Sequence, residues 1–159
     1  DYLTPHTLGR DRLAAAVGAD TLYPQEAVLI VDFGTAITCD LVSGGVYRGG
    51  FISPGLRTRL RSLHHFTAKL PEVEPAQELK RLGLTTEECI AQGVEWGICY
   101  EIEGHIARFR AENEKLLIIF AGGDAKHFVK RIKNTIFAEC DLVLVGLNRI
   151  LEHYVQHKK

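Results

Sequence analysis

The sequence contains no methionine and opens on Asp1, so it is expected to be the downstream part of a longer chain. It has only four cysteines, Cys39, Cys89, Cys99 and Cys140, and no two form a CxxC pair. Neither a zinc ribbon nor a disulfide framework is suggested, and reduced, mostly core thiols in a cytoplasmic protein are expected. No apolar run approaches the roughly 20 residues of a membrane helix, and no charged-then-apolar leader opens the chain, so no membrane association is expected. An excess of either charge is also missing. Nineteen Lys and Arg face 20 Asp and Glu, for a formal charge of −1 and a pI near 6.7. Nothing there draws the chain toward nucleic acid or an acidic membrane, and any anion it binds must be held by local design. Internal repeats and low-complexity segments are absent too.

What is present is ordinary globular composition. The 159 residues are 46% hydrophobic and 25% charged, enough for one real core and hence one domain. Residues 8–17, LGRDRLAAAV, read as a short helix ended by Gly18, with Asp11 and Arg12 in its first turn. Three β-like runs follow, AVLIVDF, ITCDLV and VYRGGFI, with no room for a helix between them, which predicts an antiparallel meander. Pro54 then opens a helix, PGLRTRLRSLHHF, with Leu56, Leu60 and Leu63 on one face.

Residues 69–81 read as a surface loop. Thr85 and Glu88 suggest a capping box at the start of a long helix carried by Ile90, Val94, Ile98, Ile102 and Ile106. Gly93 and Gly97 weaken that helix, and close packing against another backbone would explain them. Residues 116–120, LLIIF, predict a strand running through AGGDA into a helix over residues 125–132. A further strand over residues 142–145 and a last helix over residues 148–156 complete a second half in α/β style.

Three segments could carry chemistry. DFGTAIT, residues 32–38, runs from a strand straight into another strand, so it is not a P-loop. As a functional hairpin, Gly34 would let backbone N–H groups approach a phosphate, Thr35 would donate a hydrogen bond, and Asp32 would bind a cation. As a plain turn, Asp32 and Thr35 would bond its own backbone. AGGDA, with Gly122 and Gly123, would suit a nucleotide's sugar or phosphate at a helix start, or serve as a turn with an N-cap. Asp11 in a first helical turn is ordinary macrodipole chemistry. Near a substrate hydroxyl it could instead be a general base, with Arg12 orienting a carboxylate.

The order YLTPHTLGRDR, DFGTAIT, YRGGFISPGLRTRLRSL, TAKLP, LTTEECIAQG and AGGDA resembles the type III pantothenate kinases over nearly the whole chain. The joint pattern GxDR, DxGTA and GGxIxPG is more specific than any one piece. The resemblance implies an actin-like ATPase fold (ribonuclease H-like), α/β, with a mixed sheet in which an antiparallel meander is followed by βα units. It implies ATP-dependent phosphorylation of pantothenate to 4'-phosphopantothenate, the first step of coenzyme A synthesis, in a cytoplasmic homodimer. By position, Asp11 resembles the catalytic base. Tyr2, Gly9, Arg10, Asp11, Arg12 and Thr86 resemble pantothenate contacts. Asp32 resembles the ligand of a monovalent cation (K+ or NH4+). Thr35 resembles an ATP contact, with Gly34, Gly122 and Gly123 on the nucleotide side, and Mg2+ would accompany ATP.

The chain departs from the family twice. No strand with a DxGNT-type turn precedes Tyr2, so residues 1–159 are expected to be the C-terminal portion, without the N-terminal phosphate-binding subdomain and inactive by themselves. Ala121 stands where relatives commonly carry Thr. Two other functions compete. One is a non-catalytic regulatory or binding relative, since proteins of this family were also described as transcriptional activators. The other is a different small-molecule kinase of the same superfamily. The pI and the lack of a basic helix argue against nucleic-acid contact, and the GRDR segment with Thr86 favours pantothenate.

Overall fold

The computed structural model describes residues 2–133, 137–138 and 141–157. After a short 3-10 turn at Pro5–Thr7 come α1 (Arg10–Leu22), β1 (Ala27–Phe33), β2 (Ala36–Ser43), β3 (Val46–Pro54) and α2 (Leu56–Phe66). Then follow α3 (Thr86–Glu112), β4 (Leu117–Ala121), α4 (Ala125–Val129), β5 (Phe137–Ala138) and α5 (Leu142–His157). The five strands form one sheet in the order β3-β2-β1-β4-β5. β1 and β3 run antiparallel to β2, while β4 lies parallel to β1 and β5 parallel to β4. This mixed α/β sheet is the expected meander followed by βα units.

The sheet is covered on both faces, which is why β1 reads as an unbroken apolar run rather than an alternation. Leu29, Val31 and Phe33 point into the larger core with Ile118 and Phe120, under Leu60 of α2, Ile98, Ile102 and Ile106 of α3, and Phe128 of α4. Val28, Ile30 and Ile119 point the other way, against Ala15, Ala16 and Ala19 of α1 and Leu142 of α5. Side chains alternate along a strand, so Asp32 continues the Val28 and Ile30 face and meets α1. On β2, Thr38 pairs with Asp32 and Asp40 with Ile30, so those side chains share that face. The first polar residues after the apolar runs are thereby gathered under the start of α1.

Several predicted elements shift. The helix predicted over residues 8–17 runs to Leu22, and Gly18 lies inside it. A Cβ on Gly18 would meet the Leu142 carbonyl, and one on Gly146 would meet that of Ala14, so the two glycines let α1 and α5 cross with their backbones in near contact. The strand predicted over residues 142–145 is instead the first turn of α5. A short apolar run does not reveal its period, and Leu142 and Gly146, one helical turn apart, are the buried positions. Pro54 ends β3, and α2 starts at Leu56 behind Gly55.

The Thr85 cap forms, with its side chain accepting from Glu88 N at 3.2 Å. Glu88 accepts from Leu84 N at 2.8 Å, and the backbone of Thr85 also reaches its carboxylate, which Lys80 first and then these backbone groups lower. A Cβ on Gly93 or Gly97 would meet nothing within 4 Å, so within the chain the close packing expected of that pair falls to Gly18 and Gly146. Cys39 and Cys99 are buried free thiols, whereas Cys89 is exposed, and Cys140 lies outside the described residues. Burial pushes Cys39 up to about 12 and Cys99 up to about 11, which leaves both unreactive. Among the described residues no helix is long and apolar enough to cross a membrane.

Candidate active site

Two clefts meet at the turn between β1 and β2. Asp11, Arg12 and Ala15 of α1, Ile30 and Asp32 of β1, and Thr35, Thr38 and Asp40 of the hairpin line the first, of about 260 Å³. Phe33, Gly34, Thr35, Arg57, Thr58, Arg61, Gly123 and Asp124 line the second, also about 260 Å³. Gly34 and Thr35 border both, so the turn is the wall between them.

The turn is held from three sides. Gly34 N donates to Ala36 O at 3.1 Å and closes the hairpin. The Thr35 carbonyl accepts from Gly55 N at 2.9 Å and from Thr58 Oγ1 at 2.7 Å, fixing the turn to the start of α2. Asp124 N donates to Phe33 O at 3.1 Å, tying in the AGGDA segment. Gly122 has φ +89°, and a Cβ there would strike Asp32 Oδ1 and the Phe33 backbone. Only glycine allows that approach.

This support comes from backbone groups and from Thr58. Among the described residues the side chains of Asp11, Asp32 and Thr35 make no hydrogen bond, and Asp124 makes no side-chain cap on α4. The reading of DFGTA as a turn closed by its own Asp and Thr side chains is therefore not what holds it. Burial pushes the Asp32 carboxyl up, and the carboxylates of Asp11 and Asp40 push it further. A carboxylate so placed favours a bound cation, which would offset the two neighbouring charges. Among the described residues no group of three or more His, Cys, Asp or Glu side chains is arranged to hold a metal ion. Asp32 is the carboxylate of this cleft that could hold a cation, and a single carboxylate offers too few donors for a transition-metal site.

Arg12 is 8% exposed and Asp40 1%. Arg12 Nη2 and Nε donate to Asp40 Oδ1 at 2.6 and 3.1 Å, and Nη2 also to Tyr47 Oη at 2.9 Å. Tyr47 Oη donates to Asp40 Oδ1 at 2.6 Å. The hydrogen bond to Asp40 raises Arg12 above its ordinary value, and burial raises Tyr47. Removing one partner of such a buried pair typically costs about 3–5 kcal/mol, so Arg12 anchors α1 to the sheet as well as bordering the cleft. The ring of Tyr2 meets that of Tyr47 edge-on, with centroids 5.6 Å apart, which joins Tyr2 to the same group.

Of the residues predicted from sequence, Asp11, Arg12, Asp32, Gly34 and Thr35 line one cleft. Gly34, Thr35 and Gly123 line the other, and Gly122 backs Asp32. Gly9 caps α1 and Arg10 is its first residue. Thr86 opens α3 and is exposed, outside both clefts. Sequence reasoning missed Asp40, Tyr47, Arg57, Thr58 and Arg61. The signal for Asp40 was available as a lone charge inside the β-like run ITCDLV.

The family model of the type III pantothenate kinases matches residues 1–108. Curated relatives include type III pantothenate kinases of Christiangramia forsetii, 48% identical over 96% of this chain, and of Bacteroides fragilis, 46% identical over 96%. The chain spans 63% of the length of each. Among solved structures, a candidate Baf family transcriptional activator from Campylobacter jejuni superposes with TM-score 0.69 at 25% identity, over 96% of this chain and 67% of that one. A candidate N-acetylmannosamine kinase from Listeria monocytogenes superposes with TM-score 0.53 at 15% identity, over 94% and 65%, a likeness of fold alone. With the family model covering most of the chain and relatives this close, the chain belongs to the type III pantothenate kinase family.

Proposed function

We propose that the protein carrying this chain transfers the terminal phosphoryl group of ATP to the primary hydroxyl of pantothenate, giving 4'-phosphopantothenate. The observation that carries this reading is the shared cleft in which Asp11 and Asp32 stand beside the Gly34–Thr35 turn, with no hydrogen bond to either carboxylate among the described residues. Asp11, exposed at the start of α1, accepts the hydroxyl proton as the oxygen attacks phosphorus and the bond to ADP breaks. Tyr2 and the residues Gly9, Arg10 and Arg12 hold pantothenate, and Thr86, outside both clefts in this chain, is a further contact on the strength of the resemblance alone. Thr35, Gly34, Gly122 and Gly123 serve the nucleotide. Mg2+ bound with ATP would neutralise charge on the transferred group. Asp32 would hold the monovalent cation, K+ or NH4+.

A homodimer is part of this reading. Gly93 and Gly97 of α3 have open space at their Cβ positions, which would let a second copy approach that helix closely. The Baf description of the Campylobacter jejuni protein raises a regulatory alternative, but the near-neutral charge gives it little electrostatic support. A coupled ATP assay on the complete protein tests the reading. Asp11→Asn is expected to lower turnover by about 10²- to 10⁴-fold with pantothenate binding largely kept. Turnover equal to that of the parent would return Asp11 to a helix-end role.

A further inference from the structure

Helix α2 carries three arginines, and their partners sort them into two groups. Arg59 is tied inward, donating to Glu101 Oε2 at 2.6 Å, to Pro54 O at 2.6 Å and to Ser53 Oγ at 3.1 Å. Arg57 and Arg61, one helical turn apart, line the second cleft with Gly34, Thr35, Thr58, Gly123 and Asp124. Both also face the loop after α2. Arg57 Nη1 lies 3.1 Å from Glu74 Oε2, and Arg61 Nε lies 4.0 Å from Glu72 Oε1. The carboxylates are 83% and 62% exposed, so these pairs are worth little in water and are readily given up.

We propose that Arg57 and Arg61 bind the polyphosphate of the nucleotide and that Glu72 and Glu74 hold them when no nucleotide is bound. The inference rests on the ATP-binding reading above and adds its phosphate contacts and orientation. Each guanidinium offers a planar fork matched to phosphate oxygens. Thr58, between them in the helix, fixes α2 to the Thr35 carbonyl, so the forks stand at a set place beside the turn. Asp124 is the one carboxylate among the residues lining this cleft. It would repel phosphate and accept from hydroxyls, so the ribose lies toward Asp124 and the phosphates toward α2. Glu72 and Glu74 compete with the phosphates for the same forks, and nucleotide binding releases these two carboxylates from α2 while His64 still holds the loop at the Leu70 carbonyl.

The test is equilibrium binding of Mg·ATP and of adenosine to the complete protein by calorimetry. Arg57→Gln with Arg61→Gln is expected to weaken Mg·ATP by about 10- to 100-fold, the usual worth of one or two charge-assisted contacts, with adenosine and pantothenate affinity kept. Glu72→Gln with Glu74→Gln is expected to tighten Mg·ATP. An arginine double variant that binds Mg·ATP within about twofold of the parent, well under one such contact, overturns the proposal while the kinase reading stands. Equal loss of adenosine affinity overturns it as well, since the arginines would then be supporting the fold. A parent that binds neither Mg·ATP nor adenosine overturns both readings.

Discussion

Asp32 ends an otherwise apolar strand, half-buried and facing two other carboxylates, and that placement opposes its charge. Its folded-state pKa is raised by burial first, then by Asp11 and Asp40. The native state therefore holds the proton more tightly than the unfolded chain, so stability falls as pH rises from the usual aspartate value of 3.8 through the raised one. Asp32→Asn removes the penalty. Thermal melts are expected to show the variant more stable than the parent at about pH 7, with the gain gone at about pH 3, where both carry a neutral side chain. If Asp32 also holds a monovalent cation, added K+ stabilises the parent and not the variant. A variant less stable than the parent at about pH 7 would show that the charged form is already satisfied by the protein. This residue was legible in the sequence because its carboxylate follows a buried run and stands two residues before Gly34. Its neighbour Asp40 stood out only as a lone charge in a β-like run, and its role was not legible because it depends on Arg12, 28 residues away in the chain.

Among elements, the crossing of α1 and α5 decides where Asp11 stands, since α1 carries it and α5 presses α1 onto the sheet. Gly146→Ala would gain up to about 1 kcal/mol of helix propensity, but overpacking a close contact costs about 1–3 kcal/mol. Here the added methyl would meet the Ala14 carbonyl itself, so the steric cost wins and the variant is expected to unfold at lower denaturant. Gly93→Ala is the contrast. Its Cβ would meet nothing in the chain, so the monomeric protein should gain about 0.5–1 kcal/mol. Urea melts of the two variants should shift in opposite directions, and parallel shifts would defeat the packing argument. The sequence showed all four glycines but not which pair faces a backbone. That depends on α5 being a helix from Leu142, and a four-residue apolar run cannot announce its period. By contrast the meander, the long helix α3 and the turn after β4 were legible, because each carries its own local pattern of alternation, capping or paired glycines.

At the scale of the whole molecule, the two clefts share the Gly34–Thr35 turn as their common wall. The wall toward Asp11 comes from α1, β1 and β2, and the wall toward Asp124 from α2 and the segment after β4. Phosphoryl transfer spreads charge over oxygens that face several directions, so donors and Mg2+ must meet it on more than one side. The chain spans 63% of the length of its curated relatives, and the second phosphate turn expected from the resemblance would have to lie in the remainder of that length. The 159-residue chain by itself is therefore expected to bind pantothenate weakly, through the residues around Asp11, and to show negligible ATP-dependent turnover. Supplying the amino-terminal portion of a relative, fused or in trans, is expected to restore turnover. Calorimetry with pantothenate and a coupled ATP assay, run on the chain with and without that portion, separate the outcomes. Robust turnover by the chain alone would mean that the Gly34–Thr35 turn, Arg57 and Arg61 meet the phosphates unaided, and the requirement for a second cradle would fall.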